Sequence, residues 1–600
     1  MYKHTGSIIL FVMSFAANAS DTTLIAPMFE GLRGCQSAYS DQSVKNLQEA
    51  NSICLKRNES AGSVVDEKLR KIGHKKSSDG RFELGYTFGM PLLSYIKFTG
   101  GKPSVKRDLI IRDLKIISDS DRAMVLYLFS NHFSGKDQEP AVEKISQDST
   151  NLMRLADNSI PIDKYFSATT YPWVLNDKTS LIDQTRRLAM NAILKEVCKL
   201  PETDQKKIRA VTTLGEVHHF FPNFAGGMGY AGDYQITDYG EKSKEGFKKW
   251  LKSKFGQIER LNAFMSSNFE KFEQVTPPSK NITKEELSTF FDHLDAHAHG
   301  VIPFFGWAYD KEGVAFDINV YLNGLFVGQA KTGLTRLDVA QAIPELNESD
   351  VGYRYDLDFS SLPPGKHHVQ LRLLSRGKTS VLGDYALNVM DRQQRSPKTI
   401  PQFTLREAAT DIPEEFNYWL DYPKQDAAVF YNPLAKLWNQ YREMQVTREI
   451  ETYAKIITNS CIPKEKVFSH QIGSDFNASW NSKLFAAEES LEANPFYTLG
   501  VNLYGGIIYS DYFFNWLEEN GHTRYGVPEM HPMSPVGVKK IANAMVRHNK
   551  NGAVFISPYF MSAQPERFGA SKEHDKFKIV PTNSFYGSSQ FFNAIKKVMK

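Results

Sequence analysis

Short runs of apolar, β-favouring residues alternate along much of the chain with stretches in which apolar residues recur every three or four positions. The short runs predict strands, and the longer stretches predict amphipathic helices, most plainly at 105–117, 181–197 and 536–548. Strands that alternate with helices favour a parallel sheet. The candidate strands are 84–90, 123–129, 165–170, 208–214, 466–470, 497–503, 525–527 and 553–557.

This strand–helix alternation places the chain in the α/β class. Eight units make a closed (β/α)8 TIM barrel the simplest arrangement, and a doubly wound open sheet is the alternative. No glycine-rich phosphate turn follows the first candidate strand, which favours the barrel. Residues 81–280 would form its first half with the start of the loop after strand four, and 432–600 its second half. Residues 20–80 are polar and poorly periodic, and we interpret them as an N-terminal extension.

The alternation breaks once, between the fourth and fifth candidate strands. Residues 300–392 contain short runs of alternating polarity separated by turn signals, such as Asn323-Gly324. This spacing predicts a small all-β sandwich domain inserted into the barrel. The segment Gly306-Trp307-Ala308 resembles the start of immunoglobulin-like modules that recur in exported bacterial proteins. A proline-containing linker, 393–431, would lead back to the barrel.

The first nineteen residues have the pattern of a secretory signal peptide. Lys3 and His4 precede the apolar run 8–13, and Ala17-Asn18-Ala19 supplies the small residues of a cleavage site. The apolar run is too short for a transmembrane helix, and no later segment reaches the roughly 18–20 apolar residues that one requires. We therefore expect an exported protein, periplasmic or secreted, without a transmembrane segment.

The charge balance bears on the choice of partner. The net charge is +4, with 72 basic and 68 acidic residues, and no basic cluster stands out. Nucleic acid is therefore not an expected partner. The hydrophobic fraction of 41% and the aromatic fraction of 12% predict packed globular structure rather than disorder.

Four cysteines, none in a C-x-x-C pair, give no support for a structural zinc site. In an oxidising compartment they predict disulfides instead. Cys35 and Cys54 are the natural local pair. Cys198 and Cys461 each follow a helix that leads into a strand, and those two strands would be neighbours in the barrel, so a second bridge can form there.

Two glutamates occupy the positions at which such a barrel carries chemistry, the C-terminal ends of strands. Glu216 ends the fourth strand and Glu529 ends the seventh. A buried carboxylate is costly without partners, so its presence there needs a reason. Strands four and seven face each other across the barrel mouth, where the carboxyls could approach to roughly 5–5.5 Å, as in a retaining glycosidase. The other interpretation is that each glutamate is a salt-bridge partner on a loop.

Two further segments stand out. The first is 247–256 with Ile258, Leu261-Asn262 and Pro277-Pro278, and the second is Asn432-Pro433-Leu434-Ala435 with Trp438, Tyr441-Arg442 and Val446. Both resemble glycoside hydrolase family 42, the β-galactosidase-like group of clan A. The similarity extends over about 205–280 and 430–560. It implies a glycosidase that needs no cofactor and acts on an oligo- or polysaccharide. Glu216 would be the general acid/base and Glu529 the nucleophile.

The sequence departs from this family at one position of chemical importance. The clan usually has Asn before the acid/base glutamate, where it holds the 2-hydroxyl of the sugar, whereas this chain has Gly215. Either another side chain, with His218 as a candidate, binds the 2-hydroxyl, or the substrate differs at that position. Galactose specificity is therefore not implied. The zinc-binding cysteine cluster of some family members is also missing.

Further substrate-binding candidates lie at or near other strand ends. Tyr504 ends strand six, where a tyrosine could hydrogen-bond the nucleophile. Aromatic rings that could stack on sugar faces, and polar side chains that could bind hydroxyls, complete the set. These candidates are His218, Asn131, His132, Trp173, His470 and Tyr559.

Two other functions remain open at this level. The barrel could have lost hydrolysis and become a glycan-binding surface or periplasmic protein, for which Gly215 is the main argument and the two glutamates the counter-argument. It could also be a metal-dependent deacetylase or hydrolase that uses several histidines. The candidates His218, His219, His470 and His531 show no recognised ligand spacing, so no metal ligands are assigned.

Overall fold

The chain is a mixed α/β protein, seen here in a computed structural model. The structure describes residues 22–130, 133–134, 140–165, 168–224, 226–346, 348–393, 411–569 and 573–600. The expected signal peptide, 1–19, lies outside this range. No helix within the described residues is long and apolar enough to cross a membrane.

Two parallel sheets dominate the described part of the chain. The order in the larger sheet is Gln471–Ile472, Val501–Tyr504, Tyr525–His531, Ala553–Pro558, Thr23–Ile25 and Phe82–Leu84. The order in the smaller sheet is Val467–Phe468, Ile208–Leu214, Met124–Phe129 and Tyr86–Pro91. Every neighbouring pair in both sheets is parallel, as the strand–helix alternation predicts.

The two sheets meet where the chain passes from one to the other. The amide of Thr87 donates to the carbonyl of Pro27 at 2.9 Å, and a parallel bridge joins Met28 to Thr87. On the other side, a bridge joins Phe468 to Thr498. The strand order therefore continues across both junctions by isolated bridges rather than by long ladders.

The longer helices pack against the sheets through apolar side chains that join the main core. The predicted helices are confirmed as Arg107–Asp119, Leu181–Val197 and Val538–Lys550. The side chain of Ser180 caps the second of these by accepting from the amide of Asp183. The remaining helices are Gln36–Ser40, Leu47–Arg57, Gly62–Arg70, Pro140–Ser146, Glu202–Lys207, Glu241–Phe255, Ile258–Met265, Leu337–Ala342, Pro433–Thr458, Ser482–Phe485, Asp511–Glu519 and Ser588–Val598.

Two sequence-based strand assignments need correction. The run 165–170 is not a parallel strand: Asp163–Tyr165 pairs antiparallel with Ala168–Thr170, which also pairs with Phe133–Ser134 in a small separate sheet. In addition, Thr23–Ile25 is a parallel strand of the larger sheet that was not among the candidate strands. It lies between Ala553–Pro558 and Phe82–Leu84. It is fully buried but only three residues long, too short to show a period, so no pattern predicts it within the polar segment 20–80.

The region after Ile208–Leu214 contains two largely antiparallel sheets around a core of their own. One has the order Lys331–Leu334, Gly352–Asp358, Val301–Asp310 and Phe416–Tyr422. The other has the order Leu325–Gln329, Phe316–Leu322, Gly365–Ser375, Lys378–Val389 and Ala427–Val429. The predicted hairpin turn at Asn323-Gly324 is confirmed, with positive φ at both residues. Strands from 416–429, expected in a linker, complete both sheets.

Both disulfides predicted from the sequence are present. Cys35 is joined to Cys54, and Cys198 to Cys461, with Cα–Cα distances of 5.8 and 5.6 Å. The second bridge closes a separation of 263 residues and ties the segment before Ile208–Leu214 to the segment before Val467–Phe468. It therefore links the two ends of the long excursion that contains the antiparallel sheets.

Candidate active site

The two predicted glutamates lie at the same edge of the parallel sheets. Glu216 follows Ile208–Leu214 after a turn in which Leu214 and Gly215 both have positive φ, 64° and 95°. Glu529 lies near the end of Tyr525–His531, and its neighbour Met530 pairs with Leu503 of the adjacent strand. Both carboxyls thus stand where the strands open into loops.

The carboxylate of Glu529 is held by two side chains from neighbouring strands. The hydroxyl of Tyr504 donates to Oε2 at 2.6 Å, and Nε2 of His470 lies 3.2 Å from Oε1. The imidazole of His470 is itself oriented by Thr212, whose Oγ1 lies 3.4 Å from Nδ1. These contacts leave the carboxylate few orientations, which is the condition that an attacking group requires.

Glu216 has the opposite environment. Burial and the negative charge of Glu529 raise the pKa of Glu216 to about 7. A hydrogen bond from Nδ2 of Asn502 partly offsets this rise. The Asn502 amide donates to Oε1 at 2.8 Å. Glu216 therefore keeps a proton at pH values at which an ordinary carboxyl is ionised.

The two carboxyls lie near one another, because Asn502 and Tyr504, two residues apart on one strand, contact Glu216 and Glu529. Besides burial, the charges of both glutamates raise the pKa of Tyr127, Tyr165, Tyr504 and Tyr559. For Tyr165 the value reaches about 12. A protonated carboxyl and an oriented carboxylate near one another can donate a proton and attack an electrophile on the same substrate.

Three of the substrate-binding candidates lie at this pocket. His470 and Tyr504 contact Glu529 directly. The ring of Tyr559 lies 6.1 Å from that of Tyr504, and its hydroxyl is 2.8 Å from Nε2 of His574. Asn131 and His132 lie outside the described residues.

Two other candidates are buried among apolar side chains. Trp173 has none of its surface exposed and packs with Tyr171 and Leu152 in an apolar cluster. His218 is 1% exposed and its ring stacks on Phe220 and Phe224. Burial lowers the pKa of His218 to about 4, so its ring is neutral. Their role in substrate binding stays a prediction.

The candidate histidines have different partners. Within the described ranges, no group of three or more His, Cys, Asp or Glu side chains is arranged to hold a metal ion. His531 is close to Ser588 and His219 to Thr237, whereas His470 is engaged with Glu529. The candidate histidines therefore point to separate environments.

A comparison with protein families identifies one segment of the chain. Residues 230–312 match glycoside hydrolase family 42, described as beta-galactosidase. This match confirms the resemblance predicted from the sequence, over 83 of the 600 residues. It supports a glycosidase.

Solved structures of two glycosidases align with most of the chain. The catalytic domain of a beta-amylase from Paenibacillus polymyxa aligns at 9% identity and TM-score 0.42, covering 90% of this chain and 93% of that one. A beta-galactosidase from Bacillus circulans sp. alkalophilus aligns at 9% identity and TM-score 0.38, covering 90% of this chain and 50% of that one. Neither score is high enough to support an argument. No curated protein matches the sequence.

The candidate site contains three residues that the sequence did not indicate: Tyr127, Tyr165 and Asn502. Tyr127 and Asn502 lie inside strands rather than at strand ends, where polar residues attract notice. Alternation would have been the available signal, since side chains on one face of a strand recur every second residue. Asn502 and Tyr504 share a face in this way, and each contacts one of the two glutamates.

Replacing Tyr504 with phenylalanine tests the hold on Glu529. The substitution removes the donor at 2.6 Å and leaves the ring, so the negative charge of Glu529 loses its closest partner. We expect kcat to fall roughly 10- to 100-fold, as for loss of a hydrogen bond to a charged group. Initial rates at saturating substrate measure this.

Tyr497 provides a matched control, because its hydroxyl donates to the carbonyl of Ser490 and touches neither glutamate. Tyr497→Phe should leave kcat unchanged. Equal effects of the two substitutions would mean that the Tyr504 hydroxyl contributes only to folding.

Proposed function

We propose that the protein is an exported retaining glycoside hydrolase that cleaves O-glycosidic bonds in an oligo- or polysaccharide. The observation that carries the proposal is the contrast between the two glutamates. Glu529 is oriented by Tyr504 and His470, and Glu216, in the same pocket, has a pKa of about 7. A retaining mechanism requires one carboxyl of each kind.

In the first half of the reaction, Glu216 donates its proton to the glycosidic oxygen while an oxygen of Glu529 attacks the reacting carbon. The carbon–oxygen bond to the leaving group breaks, and a glycosyl ester of Glu529 forms. In the second half, Glu216, now ionised, takes a proton from water. That water attacks the same carbon, the ester bond breaks, and both glutamates return to their starting states.

The proposed scaffold is a closed (β/α)8 barrel. The isolated bridges between the two parallel sheets support it, as does a core cluster that draws Leu24 and Phe555 from the larger sheet and Val125, Ala210 and Phe468 from the smaller one. Such mixing is expected when strands close around a common interior. The two glutamates then lie at the C-terminal face, where barrel enzymes carry their sites.

The two antiparallel sheets would form an inserted immunoglobulin-like sandwich. In this domain division, 1–19 is a signal peptide, 81–280 and 432–600 are the barrel halves, and 300–392 is the core of the insertion, with strands from 416–429 added to it. Thr23–Ile25 would then be the first barrel strand rather than part of an extension. Two disulfides and the predicted signal support export.

The proposal is tested by the stereochemistry of hydrolysis. The purified protein is screened for release of reducing ends from a panel of polysaccharides and of 4-nitrophenyl glycosides. For a substrate that is cleaved, proton NMR of the first product distinguishes the anomers. We expect the initial product to keep the configuration of the substrate. An initially inverted product would contradict the nucleophilic role of Glu529, and binding without product across the panel would favour a glycan-binding protein.

A further inference from the structure

The residue before Glu216 is Gly215, and the side chain of Tyr127 fills the space beside it. Gly215 has φ of +95°, and a Cβ added there would lie 2.5 Å from the hydroxyl of Tyr127. Carbon and oxygen atoms do not approach so closely without displacement. The phenol of Tyr127 therefore occupies the position that a side chain at 215 would otherwise take.

The ring of Tyr127 is held firmly in this place. It stacks on His470 with centroids 4.1 Å apart and an angle of 22° between the planes. On its other neighbour, Phe129, the centroid distance is 4.9 Å. His470 also contacts Glu529, so one imidazole packs against the phenol of Tyr127 and lies beside the nucleophile candidate. A ring fixed on both sides places its hydroxyl with little loss of conformational entropy when a ligand binds.

The hydroxyl of Tyr127 is available as a hydrogen-bond donor. Although the residue is only 8% exposed, its hydroxyl oxygen is not among the fully buried polar atoms without a partner, so it keeps some accessible surface. Burial and the charges of Glu529 and Glu216 raise its pKa, so the phenol stays protonated. A sugar hydroxyl that enters the site can therefore accept a hydrogen bond from it.

We propose that Tyr127 contacts the substrate and donates a hydrogen bond to the sugar hydroxyl on the ring carbon next to the reacting one. This inference rests on the proposed function, in which the reacting carbon lies between Glu216 and Glu529. The hydroxyl of Tyr127 lies beside Gly215, the neighbour of Glu216, and its ring stacks on His470, which contacts Glu529. We therefore place the group that it reaches next to the reacting carbon. Hydrogen bonds to this hydroxyl strengthen in the transition state of glycoside cleavage. Gly215 is then required so that the tyrosine can enter.

The test compares a substrate that has this hydroxyl with one that lacks it. The probes are the 4-nitrophenyl glycoside that the wild type cleaves best and its 2-deoxy counterpart, corrected for uncatalysed hydrolysis. We expect Tyr127→Phe to lower kcat/KM for the first about tenfold, mostly through kcat, and for the second less than twofold. The reason is that the substitution removes only the contact to the 2-hydroxyl, which the 2-deoxy probe cannot form.

A matched control is Tyr86→Phe, on the adjacent strand, whose hydroxyl lies 3.3 Å from the carbonyl of Ile116 in the core. It should leave the preference for the 2-hydroxyl unchanged. Gly215→Ala provides a second measurement. It should lower the melting temperature and the activity in the native background, and lower them less in the Y127F background. In that background the nearest ring atom, Cζ, would lie at an ordinary 3.6 Å from the added carbon.

Each outcome bears on the inference. Equal losses on both probes, or no loss on either, would overturn the contact between Tyr127 and the substrate while leaving the glycosidase intact. Additive effects of Gly215→Ala and Tyr127→Phe would overturn the steric relation between the two residues. Absence of hydrolysis by the wild type on every probe would overturn the proposed function and the Tyr127 contact together.

Discussion

Replacing Glu529 with glutamine should abolish glycoside hydrolysis while leaving the protein folded. Glutamine has nearly the same shape and can still accept from Tyr504, but its amide has no negative charge with which to attack the reacting carbon. We expect kcat to fall by about 10⁴-fold or more, a loss typical of removing a group that forms the covalent intermediate. Initial rates on the best substrate of the glycoside panel measure this.

The same variant gives a second, independent readout. The charge of Glu529 is one of the causes that raise the pKa of Glu216, so its removal should lower that pKa from about 7. The pKa should remain above the ordinary value because burial persists. Carbon-detected NMR titration of the Glu216 carboxyl in both proteins follows this shift.

Glu492→Gln is a suitable control, because Glu492 is exposed and lies outside the pocket. It should retain wild-type activity. Full hydrolytic activity in Glu529→Gln would eliminate Glu529 as nucleophile, and an unchanged Glu216 titration would mean that the two carboxyls do not share a pocket.

The second large effect is expected at Glu216. As a general acid it acts in its protonated form, so activity should fall as the pH rises through about 7. The sign follows from the raised pKa: the proton is bound below this value and lost above it. In Glu216→Gln this limb should disappear, and kcat should fall by roughly 10²- to 10⁴-fold for substrates with poor leaving groups.

Leaving-group quality separates an acid from a residue that merely stabilises the fold. The 2,4-dinitrophenolate group of an aryl glycoside leaves without being protonated. Glu216→Gln should therefore form the glycosyl-enzyme from such a substrate at nearly the wild-type rate. The burst of dinitrophenol in a stopped-flow experiment measures this step. An equal loss on activated and unactivated substrates would contradict the role of Glu216 as acid.

Some features of the fold were legible in the sequence because they rest on local patterns. The helices Arg107–Asp119 and Leu181–Val197 have apolar positions at helical spacing, and the turn at Asn323-Gly324 has the residues that positive φ favours. The strand Thr23–Ile25 has no such pattern, since three buried residues show no period. Its place depends on Ala553–Pro558, more than 500 positions away along the chain.

The candidate site divides in the same way. Glu216 and Glu529 could be proposed from the sequence, because a carboxylate at the end of an apolar strand is costly and therefore informative. Trp173 and His218 looked equally suitable as residue types, but packing placed both in the core. Burial is a property of the assembled layers, so the type of a residue near a strand end does not reveal which way its side chain is packed.

The sequence by itself determined the alternation of strands and helices, the two carboxyl groups and the cysteines that pair. Each of these follows from short-range periodicity or from residue chemistry. Only the tertiary structure decided that Asn502 binds Glu216 and that Tyr504 binds Glu529. It also decided that Tyr127 occupies the space beside Gly215. These relations join strands that are distant along the chain, and they arise from the register in which parallel strands pair, which no local pattern encodes.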